Sequence, residues 1–412
     1  MLESSGAAKK DRVTPLMTRT KEFTMLNRRA FFLAGSGALA GLTLSPSVFA
    51  AVPASATKEV TPTAEEPILL NFNENSLGLA KSAQNAIQEQ MATAFRYPDA
   101  VRSKLIADIG AHYGLKSENV TLGNGSSETI QAALEAQFHK AAKAGQKVQV
   151  IAPDPTFGVA QAYTEAAGVA YVPVPLKEKT LQADVAALKA KAEAFDGLTV
   201  VYFCNPNNPT GVVSPATEFN AWVEEAAAKK ANVFFLVDEA YGEYVDDPKF
   251  VSGIELVKKG LDNLIVSRTF SKLYALAGLR IGYGIGTAVT AKAVDAFASI
   301  DNTNAMGAAA ASATLADKTY LALSLEATKL SKKIVTDALD ELGIEYLPSQ
   351  ANFIFHKTKK GVDYKAKMAE AHIMVGRAFP PYDDWNRLTL GTPGEMKAFV
   401  KVLKDFRKKG WI

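Results

Sequence analysis

The sequence predicts an α/β protein: a mostly parallel sheet with helices on both faces, and a smaller α/β domain at the C-terminal end. From about residue 101, short apolar runs alternate with helical segments. After Asn304 a long Ala-rich helical stretch leads into short strands and a closing helix. The 412 residues, 48% hydrophobic and 9% aromatic, suffice to bury such a core.

In chain order, the first segment looks like an address. Arg28 and Arg29 precede an apolar run, Phe31 to Leu44, and the small residues Val48 and Ala50 offer an A-x-A-like cleavage site. The run is shorter than the roughly 20 residues that span a bilayer, so no stable membrane span is expected. The arginine pair resembles a twin-arginine (Tat) export signal, whose substrates cross the membrane folded; an ordinary Sec signal is the alternative. This implies a periplasmic protein, or a cytoplasmic one if the signal is unused, with Met25 as an alternative start and cleavage at Ala50 or nearer Thr57. Residues 51–66, rich in Ala, Thr, Pro and Glu, have the composition of a flexible spacer. The expected division is 1–56 signal and spacer, 57–100 N-terminal arm, 101–305 large domain and 306–412 small domain with its linking helix.

Within the large domain, "SSETIQAALEAQFHKAAKAG" has a polar start and an apolar face at helical spacing, and "KVQVIAP" follows as a buried strand. The next strands are "VAYVPV", "LTVVYFC", "VFFLV" and "LIVSR", with the amphipathic "SPATEFNAWVEEAAAKKA" before the third of these. "RIGYGIG" comes too soon after "LIVSR" for a parallel crossover, so it is expected to run antiparallel. Beyond the helical stretch 307–343, "ANFIFHKT", "IMVGRAF" and "RLTLGT" are short strands and "PGEMKAFVKVLKDFRKKG" is the closing helix.

Composition narrows the chemistry. Lys plus Arg number 46 against 43 Asp plus Glu, without a block of like charge, so nothing supports nucleic-acid binding. Cys204 is the single cysteine and the four histidines lie far apart, which leaves no disulfide and no ligand spacing for a metal. The parallel strands instead end in polar residues, and an open α/β sheet binds its ligand outside those ends. "NPNNPTG" follows one strand, "DEAYGEY" the next and "TFSK" the third, while "GNGSSET" opens a helix whose free N–H groups and dipole make an anion site.

An anion cradle, hydroxyls beside a lysine, an arginine, a carboxylate, a phenol and a carboxamide match each polar edge of pyridoxal 5'-phosphate. Together these motifs resemble the fold type I pyridoxal-phosphate enzymes of the class I/II aminotransferases, most closely the histidinol-phosphate aminotransferase group, over roughly residues 68 to 412. The resemblance implies that Lys272 forms the Schiff base and then moves the substrate proton, a role helped by nearby cations and partial desolvation. Alone, such a lysine is an ordinary loop residue; the surrounding motifs change its meaning. Asp238 would keep the ring nitrogen protonated, Tyr241 and Asn208 would hydrogen-bond the ring oxygen, and Phe157 would stack on the ring. Gly125, Ser126, Ser127, Thr269, Ser271 and Arg280 would hold the phosphate. Tyr97 in "FRYPD" matches a position that reaches the cofactor phosphate of the neighbouring subunit, which implies a homodimer with shared sites.

For the substrate, the resemblance implies that Arg387 in "RLTLGT" binds a carboxylate and that Arg377 lies close by. Alternation on a short strand turns Arg387 and Thr389 away from Leu388 and Leu390. Asn73 and Glu74 in "NFNENSLG" would line the entrance, although Ser76 stands where the family usually has proline. The implied activity is a transaminase reaction. An amino group would pass between an amino acid or amino alcohol phosphate, histidinol-phosphate-like or aromatic, and a 2-oxo acid such as 2-oxoglutarate. A lyase or decarboxylase on the same scaffold, or a non-catalytic cofactor-binding module, is the alternative; Arg387 favours transamination.

Overall fold

The computed structural model describes residues 52–412; the expected signal lies outside them. The strands are β1 (Ile68–Leu70), β2 (Val120–Asn124), β3 (Val148–Asp154), β4 (Ala170–Pro175), β5 (Leu198–Cys204) and β6 (Val233–Asp238), followed by β7 (Leu264–Thr269), β8 (Ile281–Ile285), β9 (Phe353–Lys357), β10 (Ile373–Val375) and β11 (Trp385–Thr389). Seven of them form the central sheet in the order β2-β8-β7-β6-β5-β3-β4. Every pairing from β7 through β6, β5 and β3 to β4 is parallel, and β8 runs antiparallel to both β7 and β2, as the short loop before it requires.

Burial explains the continuous apolar runs. All seven residues of β5 are buried, because helices cover both faces. One core, containing Phe203, Phe235 and Val266, fills one side of the sheet, and another, containing Tyr202, Leu236 and Ile265, fills the other. β2 was not legible as a strand: "VTLGN" is short and ends in Gly and Asn, and it acquires its pairing only from β8. Its end matters, since it delivers the chain to Gly125 and the helix Ser126–Lys143. Gly282 of β8 lies against that turn, where a Cβ would collide with the backbone of Gly125 and Ser126.

The Ala-rich stretch forms two helices, Ala305–Ala316 and Lys318–Leu342, because Asp317 breaks the first and caps the second through the Tyr320 N–H at 3.0 Å. Beyond them β9 pairs antiparallel with β11, while β10 pairs in parallel with β1. Ile68 and Leu70 therefore join a separate core with Val335, Leu339, Phe399 and Leu403. β10 stops at Val375, short of Arg377.

Of the flexible spacer expected over 51–66, the described residues 54–59 are anchored instead. Ala54–Thr57 forms a helical turn beside the closing helix Pro393–Lys408, Lys397 donates to the Thr57 carbonyl at 2.8 Å, and Lys401 meets Glu59 at 3.4 Å. Gly394 lets the Lys58 carbonyl approach closer than any side chain permits.

Candidate active site

A cavity of about 600 Å³ opens at the carboxyl ends of β5, β6 and β7, where Cys204, Asp238 and Thr269 form part of its wall. Lys272 follows β7 by three residues. Its Nζ donates to the Phe72 carbonyl at 3.2 Å and lies 5.8 Å from the centre of the Tyr241 ring. Burial and then the nearby Arg387 cation lower its pKa to about 8, with Arg280 adding to the effect and Glu74 and Asp238 opposing it.

Asp238 is fully buried. Its Oδ2 accepts from the Tyr202 hydroxyl at 2.7 Å and its Oδ1 from the Ala240 N–H at 3.1 Å. Burial raises its pKa to about 6, partly offset by those two donors. Tyr241 accepts from Asn73 Nδ2 at 2.9 Å and packs edge-on to Phe353; burial pushes its phenol well up, so it stays protonated.

The anion cradle is assembled from separate elements. Gly125, at φ +77°, caps the helix Ser126–Lys143 and leaves the first N–H groups of Ser126 and Ser127 facing the cavity. Gly125 itself stands behind that wall, and a Cβ there would strike the Arg280 guanidinium. Thr269 Oγ1 donates to Ser271 Oγ at 2.9 Å, both buried. Arg280, left-handed at φ +58°, returns from the Lys272 loop with Nη1 on the Ala277 carbonyl at 2.9 Å.

On the opposite wall, Arg387 donates through Nη1 to Asn208 Oδ1 at 2.8 Å and through Nη2 to the Asn71 carbonyl at 2.7 Å; its buried Nε has no partner. Asn73 is held by Thr389: its N–H donates to Oγ1 at 2.9 Å, and Oγ1 donates back to its Oδ1 at 3.2 Å. Arg377 reaches the cavity from beyond β10, and Phe157, 39% exposed, lines it.

The sequence-predicted residues thus converge on one cavity, with two departures. Gly125 shapes the cradle from behind, and Tyr97, 79% exposed, is not among the lining residues of its own chain. Sequence reasoning missed the Phe72 carbonyl, Lys365 and Phe379 at the cavity wall, and Tyr202 beneath it. A backbone carbonyl leaves no signature in a sequence. Tyr202 was readable as the one phenol in "LTVVYFC", two residues before the strand's end at Cys204.

Residues 65–403 match the family profile of aminotransferase class I and II. The chain belongs to that family. A histidinol-phosphate aminotransferase of Brevibacillus brevis is 32% identical over 343 residues, 82% of this chain and 90% of that one. Another, from Carboxydothermus hydrogenoformans, is 34% identical and covers 81% of this chain and 90% of its own. Among solved structures, a candidate histidinol-phosphate aminotransferase from Erwinia carotovora atroseptica matches with a TM-score of 0.81 at 37% identity, over 86% of this chain and 99% of that one.

This aminotransferase cavity fits pyridoxal 5'-phosphate, the cofactor of its family. The cradle at Ser126 and Ser127 presents unbonded N–H groups beside Arg280, as a phosphate requires. Asp238, a carboxylate without a cationic partner at hydrogen-bond distance, lines the same wall as Lys272, an amine held at a lowered pKa. Each is an arrangement that costs free energy until a ligand completes it.

Proposed function

We propose that this aminotransferase moves amino groups between a histidinol-phosphate-like or aromatic donor and a 2-oxo acid such as 2-oxoglutarate, with Lys272 as the residue that joins the cofactor. The observation that carries this is Lys272 itself, which shares one cavity with Asp238, the anion cradle and Arg387. Pyridoxal 5'-phosphate, when bound, supplies an aldehyde that links to amines and a ring that takes up the electron pair released at the substrate α-carbon.

The chain's residues do the rest. With a pKa of about 8, Lys272 Nζ has a substantial neutral fraction near pH 7.5, so its lone pair is free to take the α-proton and hand it on. Asp238 would hold a proton on the ring nitrogen of the bound cofactor. Arg387 receives the substrate carboxylate, since it lines the cavity as a cation without a carboxylate partner among the described residues while Asn71 and Asn208 fix the guanidinium plane. That grip leaves the α C–H bond as the one to break, which favours transamination over loss of the carboxylate. Phe72, Phe157 and Phe379 line a cavity suited to an aromatic or imidazole ring, and Arg377 and Lys365 suit a donor carrying a further anion.

A second copy of the chain completes this reading. Met91, Phe95 and Tyr97 are 63%, 77% and 79% exposed, an apolar group that favours self-association, with Tyr97 available to a neighbour's phosphate cradle. Export rests on Arg28, Arg29 and the apolar run after them. We place the mature protein in the periplasm. Cell fractionation of the wild type and of Arg28→Lys/Arg29→Lys tests this, and equal periplasmic yields from both would remove the twin-arginine assignment.

The decisive experiment is a visible-spectrum titration of the purified, cofactor-loaded protein with histidinol phosphate, aromatic amino acids and glutamate. At least one donor is expected to bleach the cofactor band, and 2-oxoglutarate should restore it. Lys272→Ala should lose turnover by more than about 10³-fold while still binding cofactor; unchanged turnover would sink the role given to Lys272.

A further inference from the structure

Tyr202 stands out in the core beneath the site. It is completely buried in β5, in a strand otherwise made of Leu, Thr, Val, Phe and Cys. A buried phenol is retained at a cost unless its hydroxyl has a partner. Here the partner is Asp238 Oδ2, at 2.7 Å.

The sheet geometry explains how this contact arises. In the β5–β6 register Cys204 lies opposite Asp238 and Tyr202 opposite Leu236, so the ring starts one two-residue step below the carboxylate. Such a step is about 6.6 Å, close to the reach of a tyrosine leaning along its strand. A phenylalanine would fill the same space but donate nothing.

The contact has an electrostatic meaning. Asp238 accepts one side-chain hydrogen bond, from Tyr202, and one at Oδ1, from the Ala240 N–H. The titratable groups around it are Tyr202 and Cys204 on β5, Glu239 on its own chain segment, Tyr241 just beyond, and Lys272 after β7. Of these Glu239 opposes a charge on Asp238, and Lys272 supports it only while protonated. Burial also pushes the Tyr202 phenol far up, so it remains a donor throughout the working range.

We propose that Tyr202 is a positioning residue: it orients the Asp238 carboxylate and keeps it ionised, so that the carboxylate can hold the proton on the cofactor's ring nitrogen. The proposal rests on the reading of the cavity as a pyridoxal-phosphate site, but its first test does not. Tyr202 touches neither cofactor nor substrate; it acts through Asp238.

The experiment follows the Asp238 carboxyl by carbon-13 NMR across pH in the cofactor-free protein, assigned with Asp238→Asn. Tyr202→Phe should raise that titration by about one to two pH units, since a hydrogen bond to a charged group is lost. Difluorotyrosine at position 202, which keeps the ring and makes the hydroxyl a stronger donor, should lower it. In the loaded enzyme, Tyr202→Phe should reduce kcat about tenfold with little change in KM, and should shift the pH dependence of the cofactor's visible band. Added to Asp238→Asn, it should reduce kcat no further. An unmoved carboxyl titration in both variants, or a loss that persists undiminished in the Asp238→Asn background, would overturn the proposal. Should Tyr202→Phe fail to fold, the difluorotyrosine protein alone decides, by the sign of its shift. Absence of a cofactor band in the wild type would instead count against the functional reading and leave the carboxyl titration standing.

Discussion

Two neighbouring pairs on β6 and β7 treat charge in opposite ways. Asp238 and Thr269 face the cavity, whereas Glu239 and Arg268, each one residue away, are turned from it by strand alternation. On that other side Arg268 pairs with Glu239 at 2.5 Å and Glu243 at 3.1 Å, while Glu239 also accepts from Ser252 Oγ and the Gly253 N–H, each at 2.7 Å. Gly242 lies where a Cβ would collide with the guanidinium, so the backbone itself makes room for the cluster. One side neutralises its charges internally. The other keeps Asp238 and Lys272 apart, and both are displaced toward their neutral forms. The difference separates a structural ion cluster from a site waiting for a ligand, even though both are buried and their members are sequence neighbours, Asp238 beside Glu239 and Arg268 beside Thr269.

The largest expected effects come from Asp238, and they have opposite signs for activity and stability. Asp238→Asn should lower kcat about 10³-fold, because the ring nitrogen loses its anionic partner. Its folded pKa of about 6 exceeds the usual 3.8, so its favourable contribution is complete below about pH 4 and is lost as pH rises through 6. At pH 7.5 the cofactor-free variant should therefore be more stable than the wild type, by about 1–3 kcal/mol, with the gap closing near pH 4. Urea unfolding of both proteins at the two pH values measures this. A variant less stable at pH 7.5 would mean that Asp238 is satisfied without a ligand, and the contrast with Glu239 would disappear.

Glu239→Ala should behave in the reverse manner. It leaves Arg268 buried with Glu243 as its one carboxylate partner and strips the Ser252 O–H and the Gly253 N–H of their acceptor, which should cost about 3–5 kcal/mol of unfolding free energy. kcat of the surviving folded enzyme should change by less than about threefold, because the side chain points away from the cavity. A loss of kcat without a loss of stability would place Glu239 in the functional machinery.

The same alternation explains what the sequence could and could not disclose. Strand ends were legible because apolar runs stop abruptly at Asn205, Asp238 and Thr269, and the antiparallel turn of β8 followed from the length of the loop that carries Lys272. β2 was not, since its short "VTLGN" depends on a tertiary partner. The Glu239–Arg268 cluster was hidden for a related reason: its members are local in the sheet and 29 residues apart in the chain. Tyr202 shows the limit most clearly, for its partner lies across the β5–β6 register and only pairing reveals it. The anchoring of 54–59 was missed because composition alone argued for a spacer, while the closing helix provides the contacts.

The smallest predicted effect tests a third way of holding charge. Arg377 and Arg387 sit with their guanidinium carbons 4.2 Å and 5.2 Å from the centre of the Phe379 ring, and neither forms a salt bridge among the described residues. Burial and the proximity of Arg377 lower the Arg387 pKa, so the two cations that share the ring repel each other. A ring face offsets part of that repulsion by about 0.5–2 kcal/mol per cation without supplying a carboxylate that would compete with substrate. Phe379→Ala should therefore raise KM for a carboxylate-bearing donor about 3- to 30-fold with kcat changed little. Phe379→Leu restores most of the packing but not the negative face, so its KM should stay clearly above the wild-type value. If leucine fully restores KM, the ring acts only as a spacer, and charge at this site is managed by ligand and solvent, as it is at Asp238.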